Sequence, residues 1–277
     1  MVNMFENIMK EVQERHPLVH CITNYVTVND CANALLAVQG SPIMADDEAE
    51  VEDITSLCNA LVINIGTLNS RTIESMMKAG KKANALGHPV ILDPVGAGAS
   101  TLRSETTFAL LKEIKFSVIR GNISKIKTVS LGSGTTRGVD ADVADMITEE
   151  NIEDSIAFAK QLSQRTGAII AITGAIDIVA NSEKAYVIYN GHKEMSRITG
   201  TGCMLSAILG AYVVGHEDCM VDAVACAVTL MGYCGEIAYK RVEEEQKGSG
   251  SMHMYILDAL STMSEEALRG GQNVEVR

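Results

Sequence analysis

Residues 61–66 read LVINIG, 89–96 read PVILDPVG, 117–120 read SVIR and 168–174 read AIIAITG, and with LVHCIT at 18–23 these runs decide the fold. Each is short, rich in Val and Ile, and apolar at consecutive positions, the pattern of a strand buried on both faces. Segments of helical period lie between them, at 27–38, 70–86, 104–114 and 153–166. Strand and helix in alternation predict an α/β chain with a mostly parallel central sheet and helices on both faces. Residues 176–190, IDIVANSEKAYVIYN, break the alternation, because two β-prone runs flank the polar Asn181-Ser182-Glu183-Lys184. That predicts a hairpin at a sheet edge.

At the N-terminal side, Phe5, Ile8, Met9 and Val12 fall at helical spacing before Pro17. Residues 203–214 and 219–240, dense in Ala, Met, Leu and Val, predict two packed helices. No Pro-rich or Ser-rich linker and no internal repeat divides the chain, so one domain over 1–277 is expected, with the polar EALRGGQNVEVR at 266–277 fraying.

The 277 residues carry 23 Lys plus Arg against 35 Asp plus Glu, a net charge of -12 with no basic cluster. A nucleic-acid backbone or an anionic membrane surface would repel such a chain, so neither is expected as a partner. The 7 cysteines, at 21, 31, 58, 203, 219, 226 and 234, form no C-x-x-C pair, which argues against a disulfide scaffold or a structural zinc site. Charges, Gly or polar residues interrupt the apolar stretches before the roughly 20 residues of a membrane span, and residues 1–16 lack the pattern of a signal peptide. A reduced, cytoplasmic protein is the expectation.

In an open parallel sheet the ligand sits at the carboxyl ends of the strands. The polar and Gly-rich residues there are Thr23-Asn24, Gly66-Thr67, Asp93 to Gly98, Arg120-Gly121-Asn122 and Thr173-Gly174. A sixth segment, Thr199 to Cys203, precedes the apolar helix MLSAILGAYVV. No Walker motif and no complete G-x-G-x-x-G occurs; Gly96-x-Gly98 and Gly132-x-Gly134 are fragments. Taken singly, each loop reads as a tight turn. Together they put on one rim an arginine able to grip phosphate (Arg120), a carboxylate able to face a metal or its waters (Asp93), and a helix N-terminus that favours an anion. Those are the parts of phosphoryl transfer. Cys203, just behind Gly-Thr-Gly at the helix start, is a candidate nucleophile or base. The other six cysteines read as buried filling.

The runs at 20–51, LVINIGTL at 61–68, VILDPVGAGAS at 90–100, VIRGN at 118–122, AITGAIDIV at 171–179, ITGTGCMLSAILGAY at 198–212 and GSGSMHMYILDAL at 248–260 closely resemble the hydroxyethylthiazole kinase family, in order and over nearly the whole chain. The resemblance implies a ribokinase-like fold and a homotrimer with active sites between subunits. It also implies transfer of the ATP γ-phosphate, with Mg2+, to the hydroxyethyl group of 4-methyl-5-(2-hydroxyethyl)thiazole in thiamine salvage. By matching motif, Met44 and Gly200 would contact the thiazole, Arg120 and Thr173 would contact ATP, Cys203 would stand where relatives of this fold carry an Asp base, and Asp93 would orient magnesium waters. Asn24 and Asn122, at the same strand ends, join these as substrate-side and nucleotide-side contacts.

The family usually reads R-G-N-x-x-E after this strand, whereas this chain has Lys125 in place of the Glu. Reversing a charge near a divalent ion is a several-kcal/mol change at short range. Lys125 either meets a phosphate itself, turns away and leaves a weakened site, or is an incidental surface residue. A thiazole-binding or nucleotide-binding homologue without full catalysis is therefore the alternative, and another ribokinase-like kinase or repair enzyme is a second rival. The SPIMADD and ITNYVT segments resemble neither rival enzyme.

Overall fold

The structure is a computed structural model, and it describes residue 5, residues 7–132 and residues 146–277. Gly134 of the second glycine fragment lies outside the described residues. The strands are β1 (Leu18–Ile22), β2 (Ser41–Ile43), β3 (Ala60–Asn64), β4 (Val90–Asp93), β5 (Val118–Gly121), β6 (Ile169–Ile172), β7 (Asp177–Ala180), β8 (Ala185–Ile188) and β9 (Val274–Val276). The helices are α1 (Ile8–Arg15), α2 (Val28–Ala37), α3 (Val51–Leu57), α4 (Ser70–Leu86), α5 (Thr101–Glu113), α6 (Ile123–Gly132), α7 (Ile152–Thr166), α8 (Thr201–Tyr212), α9 (Met220–Glu244), α10 (Ser249–Thr262) and α11 (Glu265–Gly271).

All nine strands join one sheet in the order β2-β1-β3-β4-β5-β6-β7-β8-β9. The pairs from β2 to β6 are parallel, and those from β6 to β9 are antiparallel. Consecutive strand residues feed opposite cores, as the pleat requires. Val62, Ile91, Val118 and Ala171 pack on the side of α2, α8, α9 and α10, while Ile63, Leu92, Ile119 and Ile170 pack on the side of α4, α6 and α7. Burial on both faces is why the strand sequences are continuously apolar rather than alternating.

The hairpin expected at 176–190 is β7 and β8, in register Asp177↔Ile188 through Ala180↔Ala185. The frayed 266–277 tail is corrected: Val274–Val276 pairs antiparallel with β8, Tyr186↔Val276 to Ile188↔Val274, because β8 would otherwise present an unpaired edge. Helix α9, 25 residues long, reaches the length and mean hydropathy of a membrane span, which the sequence reading did not anticipate. Most of its apolar residues are instead core residues, with 72% of its most apolar window buried inside the molecule.

From β1 the chain passes through α2 to β2 on one side, then crosses to β3 on the other. Neighbouring strands β1 and β3 therefore send their connections in opposite directions, and the crevice above their carboxyl ends is the switch point where such sheets hold ligands.

Candidate functional site

A cleft of about 250 Å³ opens at that switch point, lined by Cys21, Thr23, Met44, Asn64, Thr67 and Arg71 among others. Beside it the strand ends and the first turn of α8 converge. Gly200, the N-cap of α8, has φ +93°, and a Cβ there would lie 2.9 Å from Thr27 Cγ2. Glycine is thus required for α8 to start so close to α2. Gly202 leaves room for a side chain of the site, since a Cβ there would fall 2.5 Å from Arg120 Nη1 and displace the guanidinium. The guanidinium lies flat against the opening turn of α8.

Asp93, the last residue of β4, is the electrostatic centre and is fully buried. Its Oδ2 accepts hydrogen bonds from Ser206 Oγ (2.9 Å), Asn64 Nδ2 (3.2 Å) and Arg120 Nη1 (3.4 Å). Its Oδ1 faces Lys125 Nζ at 3.4 Å. Arg120, only 8% exposed, also donates from Nη2 to Thr173 Oγ1 at 2.7 Å, and its Nε has no partner among the described residues. One carboxylate thus carries two cations, leaving the group with a surplus positive charge that the nearby Asp177 carboxyl, raised to about 7 by desolvation, offsets only in part. Lys125 neither turns to solvent nor sits idle on the surface, because its stem crosses Gly121 and its ammonium enters the site.

Cys203 sits on the first turn of α8, and its Sγ accepts hydrogen bonds from Asn24 Nδ2 and Asn64 Nδ2, both at 3.2 Å. Asn24 is held in turn, with Oδ1 accepting from the Thr27 N–H (3.2 Å) and Oγ1 (3.1 Å) and Nδ2 also donating to Asn64 Oδ1 (3.1 Å). Two carboxamides thereby fix the sulfur between the cleft and the Asp93 cluster. Of the remaining thiols, Cys21, Cys31, Cys58, Cys226 and Cys234 are buried packing, as desolvation that pushes Cys58 up to about 11 and Cys31 up to about 12 shows, whereas Cys219, expected as buried filling, is half-buried.

Met44 follows β2 on a loop tied down at two successive carbonyls. His20 Nε2 bonds Ala45 O at 2.8 Å, and Ser75 Oγ donates to Asp46 O at 2.7 Å. His20 is fully buried, and its Nδ1 meets Thr55 Oγ1 at 2.9 Å. Burial lowers its pKa, partly opposed by the Ala45 hydrogen bond, so the neutral ring donates from Nε2 and accepts at Nδ1. Across the site, desolvation pushes the Asp177 carboxyl up to about 7, against the opposing effects of the Gly174 N–H it accepts (2.7 Å) and the nearby Arg120.

The sequence-selected residues Asp93, Arg120, Thr173, Gly200 and Cys203 share this rim, with Met44 at the neighbouring cleft. Asn24 is here as well, but its polar atoms serve Cys203, Asn64 and Thr27. Asn122 is exposed, and its Oδ1 caps α6 by accepting the Lys125 N–H at 3.1 Å. Asn64, Ser206, His20 and Arg103 were not singled out by the sequence. Arg103 straps two loops together, donating to Val95 O (3.0 Å) and Gly66 O (2.6 Å). Asn64 had a legible signal, a carboxamide inside an otherwise apolar strand, and Ser206 had another, a hydroxyl one helical turn after Cys203. Chemically, the rim offers an anion cradle of arginine, lysine and helix N-terminus beside a cleft sized for a small molecule.

The sequence profile of the Hydroxyethylthiazole kinase family matches residues 9–266. A protein of Clostridium acetobutylicum called hydroxyethylthiazole kinase is 57% identical over 265 residues, covering 96% of this chain and 97% of that protein. The solved hydroxyethylthiazole kinase structure from Pyrococcus horikoshii superposes with a TM-score of 0.87 at 35% identity, over 100% of both chains. A Staphylococcus aureus pyridoxal kinase in complex with ADP shares the fold at a TM-score of 0.60 and 14% identity, over 94% of this chain and 97% of that one.

Proposed function

We propose how the rim divides its work from one premise: the chain belongs to the hydroxyethylthiazole kinase family. Its reaction is the ATP-dependent phosphorylation of the hydroxyethyl group of 4-methyl-5-(2-hydroxyethyl)thiazole, a salvage step toward thiamine. The observation that carries the division of labour is the meeting of Arg120, Asp93 and the first turn of α8 next to the cleft.

In this reading the thiazole enters the β1/β3 cleft against Met44 and the Gly200 turn. The ATP phosphates lie along Arg120, whose guanidinium Thr173 orients, and the terminal phosphoryl group faces the N–H groups of the α8 first turn. The substrate oxygen attacks the γ-phosphorus, the bond from phosphorus to the β,γ-bridging oxygen breaks, and ADP leaves with that electron pair. Cys203 Sγ, acting as the thiolate, receives the hydroxyl proton and becomes the thiol. Such a transfer has a loose transition state and asks more of positioning and charge than of the base, so a sulfur held by Asn24 and Asn64 is adequate.

Magnesium is the cofactor implied. Among the described residues no group of three or more His, Cys, Asp or Glu side chains could cage a metal. Mg2+ ordinarily relies on one or two carboxylates together with phosphates and waters, and Asp93 fits that part for an ion arriving with the nucleotide. When bound, the ion neutralises charge on the phosphate oxygens.

A homotrimer with shared active sites and a cytoplasmic location complete the reading. Tyr25 and Val26, 74% and 60% exposed beside the cleft, support the first, because large apolar side chains at a site mouth invite cover by a second copy. Seven free cysteines fit the second. The alternative of a binding homologue without catalysis gains no support from the comparisons. ADP release coupled to NADH oxidation tests the reading: turnover should require the thiazole alcohol, and no turnover by folded protein with millimolar magnesium would overturn it.

A further inference from the structure

The Asp93 group is out of electrostatic balance in a way the proposed chemistry does not yet use. Arg120 and Lys125 share one carboxylate, and both contacts are 3.4 Å, longer than the roughly 2.7–2.9 Å of a closed charge-assisted hydrogen bond. The buried Arg120 Nε lacks a partner among the described residues. A surplus cation, two loose ion pairs and an unpaired Nε–H on a guanidinium whose Nη groups meet a helix N-terminus describe a pocket completed by an anion.

The two cations differ in freedom. Arg120 is pinned by Thr173 and by the α8 turn at Gly202. Lys125 is 19% exposed at its side chain, stands on the first turn of α6 with its N–H capped by Asn122, and holds Asp93 only through the end of a flexible stem. An ammonium is a compact charge able to exchange partners without loss of geometry, which a guanidinium in a fixed fork is not.

We infer that Lys125 is a phosphate-binding residue that exchanges Asp93 for the terminal phosphate of the bound nucleotide. The exchange gives the protein nucleotide affinity that does not depend on metal and uncovers Asp93 Oδ1 for a hydrated cation. The inference rests on reading the rim as the nucleotide phosphate site.

Calorimetric titration of ATP into the full-length protein, with EDTA and separately with millimolar magnesium, tests it on wild type, Lys125→Gln, Lys125→Arg and Arg120→Gln. Loss of one charge-assisted phosphate contact should weaken metal-free ATP binding by about tenfold or more in Lys125→Gln, and Lys125→Arg should restore most of it. With magnesium the Gln variant should lose distinctly less, since the ion then covers the same phosphate charge. Equal metal-free affinity of wild type and Lys125→Gln, with Arg120→Gln weakened, would overturn the Lys125 inference alone. Unchanged ATP binding in Arg120→Gln, or no ATP binding by wild type in either buffer, would overturn the reading of the rim and the inference with it. Thermal melting of each variant verifies folding.

Discussion

Replacing Asp93 by Asn keeps the shape of the central side chain and removes its charge. Each cation stands 3.4 Å from a carboxylate oxygen, so at an effective dielectric of about 20 each pair has roughly 5 kcal/mol of gross attraction. Desolvation offsets most of it, and removing one partner of a buried pair typically costs about 3–5 kcal/mol because the other charge is left uncompensated. Lys125 can turn its ammonium to water. Arg120 cannot, being 8% exposed and fixed by Thr173 and α8, and the new carboxamide must also set a donor against the donors already there. The expected loss is therefore near the lower end, about 3 kcal/mol, which for a chain of this length lowers Tm by roughly 5 °C. ATP supplies the missing anion, so millimolar ATP should raise Tm by more in Asp93→Asn than in wild type. Differential scanning fluorimetry with and without ATP measures both. A variant melting within about 1 °C of wild type, or an equal ATP shift in the two proteins, would refute the assignment of Arg120 as a buried cation awaiting phosphate.

Cys203→Ala should lower kcat by about 10- to 100-fold and leave the ATP Kd within a factor of about two; unchanged kcat would reduce Cys203 to packing. Gly202→Ala puts a Cβ 2.5 Å from Arg120 Nη1, so ATP affinity measured by titration should fall about tenfold or more, and an unaltered Kd would separate Arg120 from the nucleotide. His20→Ala unties the Met44 loop at Ala45, and should raise KM for the thiazole while sparing KM for ATP; equal changes in both would contradict a positioning role. Asp177, raised from 3.8 to about 7, titrates later in the fold than in the unfolded chain, so its stability contribution is full below about pH 4 and is lost as pH rises through about 7. The Tm difference between wild type and Asp177→Asn should change across that window, and a constant difference would show that the carboxyl is not desolvated.

The parallel sheet was legible because its strands are buried on both faces, and that burial writes itself as uninterrupted Val and Ile. β2 and β9 were not, since three-residue strands at sheet edges carry little periodicity. β9 in particular, Val274-Glu275-Val276, is polar enough to read as tail, and only the open edge of β8 gives it a place. At the site, the rule that ligands gather at strand ends found Asp93, Arg120, Thr173 and Cys203 before any contact was visible. It could not tell which of them face a ligand and which hold another side chain. Asn24, expected on the substrate side, also supports the Cys203 sulfur, and Asn122, expected on the nucleotide side, also caps α6. His20 was hidden for the opposite reason: inside a buried strand a histidine has no local signature, and its role appears only when the Ala45 carbonyl arrives from 25 residues away.

The most direct measurement is the identity of the product. Purified protein incubated with ATP, magnesium and 4-methyl-5-(2-hydroxyethyl)thiazole should form one thiazole phosphate ester for each ADP, resolved by 31P NMR and mass spectrometry, and Arg120→Ala should form almost none. ADP without the ester, or undiminished ester formation by Arg120→Ala, would contradict phosphoryl transfer at this rim.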